Sequence, residues 1–163
     1  MTYSPPVLLT PDHEVAGFTC GKPTLDNWIV GRAKANQQSG TSRTWVVVED
    51  GGVVIGYYAS SAGSLIRQNA TPKARRNQPE EIPAILLGRL AVDENHQGSG
   101  LGPALLKHFI AKSLEVSEIV GVRLLLVHAI DEDARDFYLH FDFESSPIDD
   151  RTLILLLADV VAS

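Results

Sequence analysis

Between an apolar run, Ala84–Val92, and a segment of helical periodicity beginning at Leu101, the chain reads Gln97-Gly98-Ser99-Gly100-Leu101-Gly102-Pro103. Glycines at 98, 100 and 102 let the backbone approach a ligand closely. The amides ahead of a helix have no intrahelical acceptor and stand at the positive end of its dipole. A strand, a glycine loop and a helix in that order form a site for a pyrophosphate. Pro103 lacks an amide, a loss tolerated in the first helical turn. The loop has no Lys-Ser/Thr ending, so it is not that of a phosphate-loop NTPase. Nor do its glycines follow G-x-G-x-x-G. An acidic ribose partner about 20 residues on would fall at Glu115 or Glu118, within the helix. On these residues alone, a flexible turn with no ligand stays open.

The rest of the chain alternates strands with helices. Val7-Leu8-Leu9 reads as a short strand. Lys22–Gln38 carries Leu25, Trp28, Ile29 and Ala33 at helical spacing, with Thr24 as its cap and a break at Gly31. Thr44–Glu49 is a β-branched and aromatic strand, turned by Asp50-Gly51-Gly52 into a partner, Val53–Ser64. Arg67–Pro83, holding Pro72, Pro79 and Pro83, reads as a long, polar and flexible connection. After the strand Ala84–Val92, the rows Leu101, Leu105, Phe109 and Leu106, Ile110, Leu114 mark one helix face. Arg123–Ala129 is a strand, Asp131–His140 a short helix and Thr152–Ala158 a last strand. This order predicts an α/β fold with a mixed, twisted sheet flanked by helices, in a single domain over residues 1–163.

Composition narrows the classes. With 44% hydrophobic and 21% charged residues the chain is that of a globular protein. Cys20 is its one cysteine, which excludes an internal disulfide and a cysteine-rich zinc site and fits a reducing, cytoplasmic compartment. No apolar run nears the roughly 20 residues of a membrane span, and Met1-Thr2-Tyr3-Ser4-Pro5-Pro6 shows no secretory pattern, so no membrane is expected. His96, His108 and His128 have no spacing that converges on one ion, and no metal is expected. Trp28 and Trp45 read as core, and Cys20 as a small buried residue without the partners of a nucleophile. The net charge of −6 is unevenly spread. Between Ser60 and Pro79 the ionisable groups are Arg67, Lys73, Arg75 and Arg76, whereas Asp131–Asp150 holds eight acids against Arg135. Such polarity orients an anionic partner towards one face, although both stretches also read as ordinary solvated surface.

Gln97-x-x-Gly100-x-Gly102 resembles the acyl-coenzyme A loop of the GNAT (Gcn5-related N-acetyltransferase) superfamily, and the element order is similar across nearly the whole chain. The resemblance implies a splayed central strand pair holding acyl-CoA, with Leu90, Ala91 and Val92 along the pantetheine arm. Residues 97–103 (Gln97, Gly98, Ser99, Gly100, Leu101, Gly102 and Pro103) would then hold the pyrophosphate. Ala134–Phe143 resembles the family's helix ending in Phe-Tyr-x-x-x-Gly-Phe, with Asp142 where glycine is usual; aspartate tolerates the left-handed region better than most residues. Phe18-x-Cys20-Gly21, Leu25-Asp26-x-Trp28, Ser42-Arg43-Thr44, Gly56-Tyr57-Tyr58, Leu87–Asp93 and Val127-His128-Ala129 together resemble the GNAT toxins of type II toxin–antitoxin modules.

That resemblance implies acetyl transfer from acetyl-CoA, with no metal, to the α-amino group of aminoacyl-tRNA, which blocks translation. It also implies a ribbon-helix-helix antitoxin, operator DNA bound only through it, and a homodimer. Tyr138 matches the family's general acid: a phenol of pKa about 10 stays protonated and can donate to a departing thiolate. Phe137 would pack beside the coenzyme, and an amide near Val92 would meet the oxyanion. An α-amino group, of pKa about 8, needs less help from a base than a lysine at about 10.4. Arg67, Lys73, Arg75, Arg76 and Arg89 would contact tRNA phosphates, with Arg32, Lys34 and Arg43 extending the surface, although Arg89 also reads as a strand-end salt bridge. The alternatives are a GNAT enzyme of small amines or protein N-termini, and a non-catalytic acyl-CoA sensor.

Overall fold

Among residues 3–162, which the computed structural model describes, seven strands alternate with six α-helices. Met1 and Thr2, part of the leader reading, lie outside the described residues. The residues gather into two units, the chain up to Ser61 with Gly88–Ala111, and Ala62–Leu87 with the chain from Lys112 onward.

In the first unit the strand order is β1 (Val7–Leu8), β2 (Arg43–Glu49), β3 (from Val53) and the end of β4 (to Val92). β2 and β3 pair antiparallel through Trp45↔Tyr58 and Val46↔Tyr57, with a register shift between Val47 and Val48. Gly51 and Gly52 turn the hairpin at φ of 84° and 75°. Successive strand residues face opposite sides. Tyr57 therefore joins the core of Leu9, Phe18, Trp28, Ile29 and Val46, and Tyr58 meets Phe109 of α4 (Leu101–Ser117) with ring centroids 5.6 Å apart. Gly56 is what lets α4 this close: a Cβ there would stand 3.1 Å from Leu101 and 3.2 Å from Leu105.

The first helical segment is two helices, α1 (Pro23–Gly31) and α2 (Ala33–Ser39), broken where Arg32 takes φ −126° and ψ −30°. Thr24 is not its cap. Pro23 occupies the start, Lys22 is the N-cap without a side-chain bond, and Thr24 lies inside the helix. Asp26 braces the entry instead, accepting from the Cys20 amide at 2.8 Å. Trp45 is half-buried rather than core and lies 4.8 Å from the ring of His108.

In the second unit the order is the remainder of β3 (to Ile66) and β4 (from Glu81), then β5 (Leu124–His128), β7 (Thr152–Leu156) and β6 (Glu144–Ser145). β4 and β5 are parallel over Ala84↔Leu124 to Leu87↔Val127, while β5–β7 and β6–β7 are antiparallel, so the sheet is mixed. Its core is Leu65, Ala70, Ala74, Ile82, Ala84, Leu124, Leu126, Ile154 and Leu156. Asp131 caps α5 (Glu132–His140) by accepting from the Ala134 amide at 2.9 Å. Asp142 follows at φ 72°, so aspartate does adopt the left-handed turn usually given to glycine.

Three expectations change in this unit. The last strand stops at Leu156, and Leu157–Ala162 form a helix, α6. β4 begins at Glu81, not Ala84; Pro83 sits exposed within it and needs no amide partner, while its carbonyl accepts from Arg123 N at 3.0 Å. The connection before it is ordered rather than flexible. It holds a 3₁₀ turn at Arg67–Asn69 and a one-turn helix, α3 (Pro72–Arg75), with Ala70 and Ala74 fully buried.

Candidate functional site

The glycine loop is anchored at its entry. Asp93 leaves β4 with its amide donating to Ile55 O at 2.9 Å. Its carboxylate accepts from Thr19 N and Asn95 N, each at 3.1 Å, and Glu94 N donates to Thr19 O at 2.8 Å. Both side-chain amide hydrogens of Gln97 are committed, to Cys20 O and Val92 O, each at 2.9 Å. The Phe18–Gly21 motif and the Leu87–Asp93 motif are thereby tied to one turn. Ser99 Oγ donates to His96 O.

Gly98 and Gly100 follow at φ 77° and 87°, values that an L side chain rarely takes. No heavy atom lies within 4 Å of a Cβ built at either, so the space over the loop is open. The first backbone bond into α4 is Ala104 N to Gly100 O at 3.2 Å, which leaves the preceding amides without intrahelical acceptors. Open space, exposed donors and a helix of 17 residues behind them fit a pyrophosphate. Of the strand residues expected beside a coenzyme, Ala91 is buried and Leu90 and Val92 are half-buried at the end of β4.

Tyr138 belongs to the second unit, on α5. It is 6% exposed, packed edge-on to Phe143 at 5.5 Å and to Phe137 at 5.2 Å. Burial pushes its phenol well above the ordinary tyrosine range. Among the described residues its hydroxyl makes no hydrogen bond. Tyr57 and Tyr58 are also pushed up by burial, but Tyr57 donates to Leu25 O at 2.7 Å and Tyr58 bonds His108 Nδ1 at 2.7 Å. Burial likewise pushes the Cys20 thiol up to about 11, helped by Asp26, which disqualifies it as a nucleophile at neutral pH.

The basic residues divide. Arg67 lies 3.5 Å from Glu80 and donates to Gln78 O at 3.0 Å; Lys73 lies 2.6 Å from Asp159. Arg75 and Arg76 are exposed and have no ion pair among the described residues. Among the described residues Arg89 makes no salt bridge. Its guanidinium stands 4.6 Å over the ring of Trp28, which stacks on Tyr57 at 5.9 Å, and its Nε is buried without a partner. Lys34 clamps Pro11 O and His13 O at 2.9 and 2.8 Å, Arg32 donates to Asn36, and Arg43 donates to Gln37 O. Sequence reasoning missed Asp93, Gln97's double anchor and Arg123; only Asp93-Glu94-Asn95, which has an Asx-turn pattern, gave any signal.

His96 contacts Tyr3 and Glu49, and His128 contacts Thr152. No group of three or more His, Cys, Asp or Glu among the described residues could hold a metal ion, and no described helix is long and apolar enough to cross a membrane.

Against this geometry the comparisons are specific. The chain belongs to the GNAT acetyltransferases: the acetyltransferase (GNAT) domain matches residues 40–145. It is 44% identical, over 98% of its length and 96% of the relative's, to a tRNA-acetylating toxin of Mycobacterium tuberculosis. Its fold matches that of AtaT complexed with acetyl-methionyl-tRNAfMet at a TM-score of 0.89, with 24% identity and 96% of each chain covered. It also matches a mutant of the toxin AtaT bound to the C-terminus of the antitoxin AtaR and acetyl-CoA, at 0.83, with 22% identity over 99% of this chain and 97% of that one.

Proposed function

We propose that this protein transfers the acetyl group of acetyl-CoA to the α-amino group of aminoacyl-tRNA and so acts as a toxin that blocks translation. The observation that carries the reading is the 44% identity, over 98% of the chain, with a tRNA-acetylating toxin. The open amide loop at Gly98–Gly102 supports it, because that loop suits the diphosphate of the coenzyme.

When bound, acetyl-CoA supplies an activated thioester. The amides of residues 98–102 hold its pyrophosphate, and Leu90–Val92 run along the pantetheine arm. An amide near Val92 meets the oxygen on which charge builds. Tyr138 keeps its proton at physiological pH, because burial opposes the phenolate, and gives it to the departing sulfur. Among the described residues its hydroxyl has no acceptor to compete for that proton. The incoming α-amine is already substantially neutral near pH 8, so it needs no strong base to attack, and the proton its nitrogen sheds as the amide forms passes to water. Exposed Arg75 and Arg76 meet tRNA phosphates. The protein works in the cytoplasm as a homodimer, is neutralised by a ribbon-helix-helix antitoxin, and reaches operator DNA only through it.

The test is direct. Purified protein is incubated with radiolabelled acetyl-CoA and either charged or deacylated tRNA. Label should appear on charged tRNA alone. Label that appears on small amines or peptide N-termini, and never on charged tRNA, overturns the reading.

A further inference from the structure

Within the second unit, the segment bearing Arg75 and Arg76 is built as a rigid mount. Thr71 accepts from Ala74 N at 3.3 Å and caps α3. Ala70 and Ala74, both fully buried, anchor the two ends of that turn in the core. Ser146 Oγ donates to Asn69 O at 2.6 Å. Beyond the helix, Asn77 takes φ 58°, an unusual value for a residue other than glycine, and Gln78 hooks back to the carbonyls of Arg75 and Arg76 at 3.1 and 3.3 Å. A single side chain reaches this turn from the start of β5. Arg123 Nε donates to Ala74 O at 2.7 Å and Nη2 donates to Lys73 O at 3.2 Å. These are carbonyls at the end of a one-turn helix, where a cation is favoured.

We infer that Arg123 is a positioning residue for tRNA: by holding the carbonyls of Lys73 and Ala74 it aims Arg75 and Arg76 outward as the phosphate contacts of this segment. The inference rests on the aminoacyl-tRNA reading. It also sorts the four cations of the segment. Arg67 and Lys73 are neutralised by Glu80 and Asp159 and hold the mount, while Arg75 and Arg76 face solvent. A guanidinium bound to two backbone carbonyls gives Arg123 a fixed geometry that a single ammonium cannot reproduce.

The experiment is a mutant cycle on the full chain, with steady-state kinetics in both substrates. Arg123→Gln should raise KM for aminoacyl-tRNA about tenfold, the scale of one charge-assisted contact, and leave KM for acetyl-CoA within about twofold. The double variant Arg75→Gln/Arg76→Gln should raise the same KM. Adding Arg123→Gln to it should raise KM little further, because a residue acting through the other two has nothing left to aim. Arg123→Lys should be intermediate. It also serves as the test variant should the Gln variant melt below the assay temperature. Additive effects would make Arg123 a contact in its own right, and an unchanged tRNA KM would make it merely structural; either overturns the inference. Failure of the functional reading shows separately, as a wild-type protein that acetylates no charged tRNA.

Discussion

The tyrosine pair on β3 and the lone tyrosine on α5 share one electrostatic fate and differ in what their hydroxyls do. All three phenols are pushed up by burial. Tyr57 donates to Leu25 O and Tyr58 shares a hydrogen bond with His108 Nδ1, so both hydroxyls are committed to the fold. Tyr138 is as buried as a core residue, yet its hydroxyl has no partner among the described residues. That hydroxyl is not among the buried polar atoms left without a partner, so it reaches the surface at the edge of a buried ring, where a ligand can meet it. Burial alone therefore does not separate the three phenols; the uncommitted hydroxyl of Tyr138 does, and the proposed general-acid role uses that feature.

The largest effect should come from Tyr138→Phe. In the proposed role as general acid, its loss should slow acetyl transfer by about 10²–10⁴-fold, with KM for acetyl-CoA and the melting temperature nearly unchanged. If Tyr57→Phe slows transfer as much, the contrast between the two regions breaks. Next is Cys20, beside Tyr57 in the same core. With its thiol at about 11, iodoacetamide at pH 8 should label it about 100-fold more slowly than a free thiol, and unfolding should restore the rate. Rapid labelling of the native protein would show that this core opens. Tyr57→Phe should lower the free energy of unfolding by about 1 kcal/mol in a denaturant titration, the worth of one buried hydrogen bond.

Alkaline pH probes both regions at once. The folded state holds the tyrosine and Cys20 protons above their ordinary values, whereas the unfolded chain releases them. The stability they contribute is complete below the unfolded pKa values, about 9 for the thiol and 10 for the phenols, and is lost as pH rises through the folded values. The denaturation midpoint should therefore fall steadily above about pH 9. The smallest effect is at Asp142: glycine there relieves a φ of 72° but loosens the unfolded chain, so Asp142→Gly should raise stability by less than about 1 kcal/mol.

What was legible in the sequence was local. The glycines at 98 and 100 announce a loop that a ligand can approach, and the Leu101–Leu105–Phe109 row announces the buried side of α4, because each signal is written within a few residues. Arg67–Pro83 reads as flexible because its order comes from afar: Arg123 lies 49 positions from Ala74, Ser146 lies 77 from Asn69, and Asp159 lies 86 from Lys73. Polar composition cannot reveal that Ala70 and Ala74 are buried. Thr24 reads as a cap because a hydroxyl stands near the helix start, yet Pro23 sets the first turn one residue earlier. Arg89 misled because the partner of its charge is an aromatic face rather than a carboxylate.

The two anchors of Gln97 have a consequence for how a ligand arrives. With Cys20 O and Val92 O both gripped by one side chain, the turn ahead of Gly98 acquires its shape when the chain folds. In the proposed reaction the coenzyme's diphosphate would then meet a finished socket rather than order a floppy one, so its binding would lose little to entropy. Backbone traces of the empty and loaded protein should superimpose through Gly98 and Gly100, and severing the anchor with Gln97→Ala should make the socket form only around its guest.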